Sequence, residues 1–221
     1  MRYSNKKKFI FFHVPKTGGT SVRVALDSIG GVHEAESSPS GLAPFFGSLG
    51  LSPERPKGFF STIPSHVSAA EIKYKLGSLY DDYFTFGFLR NPWAWKVSLY
   101  HFILSRPKHK QHALYKSYKD FADYIKRTDY APGDALMNSR RQTAYIFDAS
   151  GPVVSHVGAL ERVQEDFDVI CDNIGIKRRL MPHSNKSAHT HYTDYYDRES
   201  EQIVAEHYAR DVEYFGYKFG D

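Results

Sequence analysis

The stretch FIFFHVPKTGGTSVRVAL, residues 9–26, decides the fold. Phe9 to Val14 reads as a short buried strand, and Val22, Ala25, Leu26 and Ile29 recur at helical spacing. Between them stands Pro15-Lys16-Thr17-Gly18-Gly19-Thr20-Ser21. Gly18 and Gly19 let the backbone take angles closed to other residues, while the first turn of the following helix leaves its N–H groups without intrahelical partners. Anions bind at such ends. Lys16 adds a mobile positive charge, and Thr17, Thr20 and Ser21 add compact hydroxyl donors. An ordinary strand-turn-helix junction accounts for a glycine pair alone. The lysine and three hydroxyls beside it describe a phosphate cradle.

The nucleotide motif GxxxxGK[ST] sets its lysine after the last glycine, whereas Lys16 precedes both glycines here. PKTGGTS instead resembles the 5′-phosphosulfate loop of sulfotransferases that use 3′-phosphoadenosine 5′-phosphosulfate (PAPS). The segment FTFGFLRNPWAWKVSLYHF, residues 84–102, strengthens the resemblance: it is again a strand, then Asn91-Pro92, then a helix. In that family the arginine ending this strand and a serine about two turns into the next helix hold the nucleotide 3′-phosphate, which assigns Arg90 and Ser98. The chemistry agrees, since an arginine fork gives charge-assisted bidentate bonds to phosphate and a serine hydroxyl is a compact extra donor. The alternatives are an Arg90–carboxylate pair and a Ser98 hydroxyl bonded back to its own helix.

The string SHVSAAEIK, residues 65–73, resembles the histidine segment of the uronosyl 2-O-sulfotransferase-like group and makes His66 the base that takes the acceptor proton. His66 falls between an expected strand, Gly58 to Ile63, and a helix opened by the capping box Ser68 to Glu71, with Ile72, Leu76 and Leu79 inward. Ligands of parallel α/β sheets lie beyond the strands' carboxyl ends, and histidine suits proton transfer near neutral pH. His33, Glu34 and Glu36 compete for the role, and His13 is a weaker rival that could merely brace the loop. The resemblance gives Lys16 to the leaving oxygen and the loop from Lys16 to Ser21 to the sulfate and 5′-phosphate. A late loop, KRRLMPHSNKSAHTHY, residues 177–192, resembles one that closes over the nucleotide, with Lys186 and Ser187 as its contacts and Arg178 and Arg179 as further cations.

With 221 residues, 41% hydrophobic and 15% aromatic, the chain has material for a sizeable core, and residues 1–221 read as one domain. Alternating strands and helices imply an α/β fold, a three-layer α/β/α arrangement on a parallel sheet, which is the P-loop-like architecture of the resembled family. Further elements are two helices within 117–146, a strand from Val153 to Leu160, a helix from Glu161 to Ile174 and a final helix over 198–215. The lone cysteine, Cys171, permits no intrachain disulfide and reads as a core thiol. The basic start holds too few apolar residues for a signal sequence or membrane span, so a soluble, cytoplasmic, bacterial-type member is expected, or else a trimmed piece of a relative that is anchored elsewhere in its chain. Histidine spacing and a single cysteine exclude the common metal motifs, and no metal is expected.

Arg106, Lys108, Lys110, Lys116 and Lys119 cluster within residues 105–119 with no acid among them. Such a segment either steers an anionic partner or is a solvated face. The net charge of +4 is too modest for a nucleic-acid module. The resemblance implies a hydroxyl-bearing acceptor, a glycan or small molecule. The competing readings are a P-loop-type kinase using ATP and magnesium, and a nucleotide-binding module without turnover.

Overall fold

A computed structural model describes residues 1–34, 46–50, 67–128, 130, 140–182 and 190–221. These fall into two compact units, Met1–Leu89 with Gln142–Ser184, and Arg90–Arg141 with Asn185–Asp221. The strands are β1 (Arg2–Ser4), β2 (Phe9–Phe12), β3 (His33–Glu34), β4 (Phe84–Leu89) and β5 (His156–Ala159). The helices are α1 (Gly19–Asp27), α2 (Ala69–Leu76), α3 (Pro92–Leu104), α4 (His112–Ser117), α5 (Phe121–Arg127), α6 (Val163–Asn173), α7 (Arg198–His207) and α8 (Ala209–Phe215).

The first unit is mixed α/β, built on a sheet of order β3-β1-β2-β4-β5. The expected parallel arrangement is the trio β2-β4-β5, in which Phe11 stands opposite Phe86 and Phe86 opposite His156. Phe9 to Phe12 are buried on both faces, as strands of a parallel sheet are. The sheet continues antiparallel through β1, which pairs with β2 and with β3. Phe9, Phe11, Phe86 and Phe88 share one face by the twofold alternation of strands, and α1 and α6 lay Val22, Leu26, Phe167, Ile170 and Cys171 on it. Each such fully buried large apolar side chain contributes about 1.5–3 kcal/mol. Cys171 is part of that core.

Local details depart from periodicity. The hydroxyl of Ser68 caps α2 by accepting the Glu71 N–H at 3.2 Å, as the capping box requires, but α2 stops at Leu76. Leu79, expected to face inward, lies in the following 3-10 turn and is exposed. The helix expected over 198–215 is two helices that meet at Tyr208, whose ring is fully buried edge-on to Trp95 at 5.7 Å. Tyr208 holds φ −102° and ψ 25°, which breaks the run. The strand expected over 58–63 lies outside the described residues.

The second unit is helical around α3. Asn91 turns the chain into α3 by accepting the N–H groups of Trp93 and Ala94 at 3.1 and 3.2 Å, and Pro92 supplies the fixed φ suited to a first helical position. Nearly every residue of α3 is buried, and its aromatic partners Tyr115, Phe121, Tyr124 and Tyr208 come from α4, α5 and the α7–α8 break. Lys96 is fully buried there, its Nζ 4.7 Å from the Tyr124 ring centre, 5.3 Å from Tyr130 and 5.7 Å from Tyr208.

Burial pushes the Lys96 ammonium well below the usual lysine range. Above the unfolded value of about 10.4 the group costs nothing through this term; as pH falls below it the unfolded chain takes up a proton that the folded state resists, and stability drops by up to about 1.4 kcal/mol per pH unit until the folded value is passed. Lys96→Met is therefore expected to gain most over the parent at neutral pH and progressively less toward pH 10. Urea unfolding of both proteins across that range checks it, and a difference independent of pH would refute the assignment.

Candidate active site

Strand β2 delivers His13 and Val14 to the loop that opens α1. Lys16 takes the left-handed conformation, φ 64°, and Gly18 takes it again at φ 76°, with Thr17 between them. Left-handed backbone costs a residue with a Cβ about 1–2 kcal/mol, so Lys16 holds its place against an intrinsic preference. Alternating hand in successive residues curls the backbone into a concavity that suits anions. Thr17 is buried and its hydroxyl donates to the Val14 carbonyl at 2.9 Å, which closes the curl from within. That hydroxyl's one proton is thereby committed.

Helix α1 begins at Gly19 with Gly18 as its cap, without a side-chain acceptor and without an acidic residue in the first turn. The Gly18 carbonyl accepts the N–H groups of Ser21 and Val22 at 2.9 and 3.2 Å. The N–H groups of Gly19 and Thr20 have no acceptor among the described residues. By contrast, Ser68, Asn91, Asp120 and Asp197 cap α2, α3, α5 and α7 with their own side chains. The start of α1 thus keeps its donors and its positive dipole end for an outside anion.

Glycine is required on both sides of this bend. A Cβ on Gly18 would lie 2.5 Å from Leu160 Cδ1, just beyond the end of β5, and one on Gly19 would lie 2.0 Å from His13 Cδ2 and 2.2 Å from its Nε2. The exposed His13 ring is therefore laid against the first residue of α1. Leu160 is set by Asp166 on α6, a buried carboxylate that accepts the Ala159 N–H at 2.8 Å, His156 Nε2 at 3.2 Å and Arg162 Nε at 3.0 Å.

Beside the loop lies a small open cleft, lined among others by Arg2, His13, Gly19, Thr20, Arg23 and Glu34. Arg2 is buried and ties Asp27 on α1, through a 2.8 Å bond from Nε, to Glu34 on β3. The Arg2 hydrogen bond holds the Glu34 carboxyl below the usual carboxylate range, so Glu34 is a poor proton acceptor at neutral pH. Of the competing bases, His33 is exposed on β3, its ring 5.5 Å from Tyr3, and Glu36 lies outside the described residues. Sequence reading passed over Arg23, although its spacing of three from Thr20 sets the two on one helix face.

In the second unit, Arg90 follows Leu89 directly and is half-buried, and Ser98 is buried in α3. Its hydroxyl makes no bond to its own helix, unlike Thr128 Oγ1, which donates to the Tyr124 carbonyl. His66, Lys186 and Ser187 lie outside the described residues. Arg178 forms a forked pair with Asp172, and Arg179 hydrogen-bonds Ser28. Arg106, Lys108, Lys110, Lys116 and Lys119 are exposed and have no ion pair among the described residues, with Arg106 lying on the Phe102 ring. Among the described residues, no three His, Cys, Asp or Glu side chains gather as a metal site needs, and no helix is long and apolar enough to cross a membrane.

No curated protein and no solved structure matches the chain. A family match does exist, to the family described as the Sulfotransferase family, and it runs over residues 1–218. That span takes in the Pro15–Ser21 loop, the Arg90–Ser98 segment and all but the last three residues. A glycine-bent loop with a lysine and an uncapped helix start, inside a match of this length, leads to one statement: the chain belongs to the sulfotransferase family, whose members move a sulfuryl group onto a hydroxyl-bearing acceptor.

Proposed function

We propose that this enzyme transfers the sulfuryl group of PAPS to a hydroxyl of a carbohydrate. One observation carries the reading: the bend at Lys16 and Gly18 points an uncapped helix start, free of acidic residues, at whatever anion sits there. When bound, the donor supplies an activated sulfuryl group on a phosphate leaving group. The N–H groups of Gly19 and Thr20 receive charge on the sulfate oxygens, and Lys16 neutralises the oxygen that departs. Arg90 and Ser98 take the 3′-phosphate, a role supported by the unused Ser98 hydroxyl and the half-buried guanidinium. Lys186 and Ser187 cover the nucleotide, and His66 accepts the acceptor's proton; these three roles rest on the sequence resemblance. Burial of the single cysteine suits a reducing compartment, the cytoplasm.

The kinase alternative would set the Thr17 hydroxyl oxygen and an acidic strand end around magnesium, and β4 runs into Arg90 and Asn91 with no acid. Calorimetric titration with 3′-phosphoadenosine 5′-phosphate (PAP), AMP and ATP, each with and without magnesium, separates the readings. PAP is expected to bind without metal, and AMP more weakly by about 10- to 150-fold, the worth of about 1.5–3 kcal/mol in charged hydrogen bonds to the 3′-phosphate. Preference for ATP with magnesium, or equal binding of AMP and PAP, would overturn the proposal.

A further inference from the structure

Gly19 opens α1 and is buried, yet its own backbone does not demand glycine, since the left-handed residues of the loop are Lys16 and Gly18. What excludes a side chain there is His13. The three atoms nearest a Cβ at position 19 all belong to that ring, Cδ2 at 2.0 Å, Nε2 at 2.2 Å and Cγ at 3.1 Å. Strand alternation explains how the ring arrives. His13 follows the last residue of β2 and shares the face of Phe11, the face covered by α1, with the two rings 6.2 Å apart. It is exposed between buried Phe12 and Val14. The Cα–Cβ bond of a helical residue tilts toward the helix N-terminus, so the space that Gly19 leaves and His13 fills lies ahead of the first turn. The N–H groups of Gly19 and Thr20, which have no acceptor among the described residues, point the same way.

Packing on a glycine asks only for bulk, which leucine would supply. Histidine adds a nitrogen that can carry a proton, and its Nε2 is on the edge laid against Gly19. We propose that His13 is a further catalytic residue, its Nε2–H donating to a sulfuryl oxygen beside the N–H groups of Gly19 and Thr20. The inference rests on the sulfotransferase reading and adds a side-chain donor to the backbone ones. In the transfer, the acceptor oxygen gives an electron pair to sulfur while the bond from sulfur to the phosphate oxygen breaks. The pair of that bond leaves on the phosphate oxygen at Lys16, and the acceptor's proton goes to His66. Charge gathers on the sulfuryl oxygens as this happens, and a donor already fixed there lowers the barrier. His13 keeps its own proton throughout.

The test uses the full chain with PAPS and PAP, which differ by the sulfuryl group alone. Release of labelled sulfate from PAPS to water gives a turnover that needs no identified acceptor. His13→Leu keeps bulk without a donor, and His13→Gln keeps an amide N–H in place of Nε2–H. His13→Leu is expected to lower turnover about 10- to 150-fold, the loss of one hydrogen bond to a charged group, while His13→Gln stays within a few-fold of the parent. PAP affinity and thermal midpoint should match the parent's in both variants. In the parent, the His13 imidazole NMR signal, identified through its absence in His13→Gln, should shift with PAPS and much less with PAP. Gly19→Ala, whose Cβ displaces the ring, should cut turnover as far as His13→Leu does, and the double variant no further.

Full turnover in His13→Leu would make the ring a packing brace, and loss of turnover in both His13 variants with PAP binding intact would make it a proton acceptor. Either result overturns the proposal. A fall in PAP affinity equal to the fall in turnover would overturn it too, by assigning the ring to the shape of the loop, as would a His13 signal that responds alike to PAPS and PAP. Failure of the parent to bind either nucleotide would instead strike the donor reading itself, so the two failures are distinguishable.

Discussion

Lys16→Gly is expected to cut sulfuryl transfer by about 100- to 1,000-fold, the usual loss when one fixed partner of a developing negative charge is removed. The same change should leave stability nearly untouched. Lys16 sits at φ 64°, where a side chain costs about 1–2 kcal/mol, and glycine removes that cost while adding about 0.5–1 kcal/mol of unfolded-chain entropy. Paired measurements, turnover with labelled donor and urea unfolding, check both halves. A variant that keeps turnover within a few-fold of the parent would remove Lys16 from the chemistry. One that unfolds far earlier would make it a structural brace.

Asp166→Ala should have the largest effect on folding, about 1–3 kcal/mol, because it strands the buried Ala159 N–H that now meets a carboxylate. The Ala159 N–H loses its acceptor outright, and His156 and Arg162 lose theirs. Burial by itself pushes the Asp166 carboxyl upward, yet the bonds from His156, Ala159 and Arg162 outweigh it and hold the group below the ordinary aspartate value. The stabilisation is therefore complete above the unfolded value of about 3.9 and disappears as pH falls through the lower folded value. Chemical unfolding of parent and variant at pH 7 and near pH 3 should show the gap between them shrinking in acid. A gap that stays constant would mean that packing, and not the carboxylate, is what the substitution removes. Because Ala159 precedes Leu160, and Leu160 abuts Gly18, donor affinity is expected to fall with stability.

The sequence disclosed those parts whose causes are local. Phe9 to Phe12 are apolar on both faces, two glycines follow a lysine, and Val22, Ala25 and Leu26 keep helical spacing, so β2, the loop and α1 were readable without a fold. The Asn91-Pro92 corner was readable for the same reason. β1 and β3 were not, since strands of three and two residues carry no alternation to detect, and their pairing is decided across the sheet. The cleft depends on them. Glu34 was weighed as a base from its place in the chain, but its partner Arg2 lies 32 positions away by numbering, and only the β1–β3 pairing brings them together. Tyr208 shows the converse: it fits the helical spacing of 198–215, and tertiary burial of its ring overrides the local preference for one long helix.

Lys96 gives the helical unit a chemical clock. An amine sealed among Tyr124, Tyr130 and Tyr208, with its proton loosely held, is nucleophilic in character yet shielded from any reagent in solvent. Exposed lysines such as Lys108 and Lys110 acylate at once, whereas Lys96 must wait for the aromatic cluster to part. The rate at which it becomes acylated thus measures opening of that cluster.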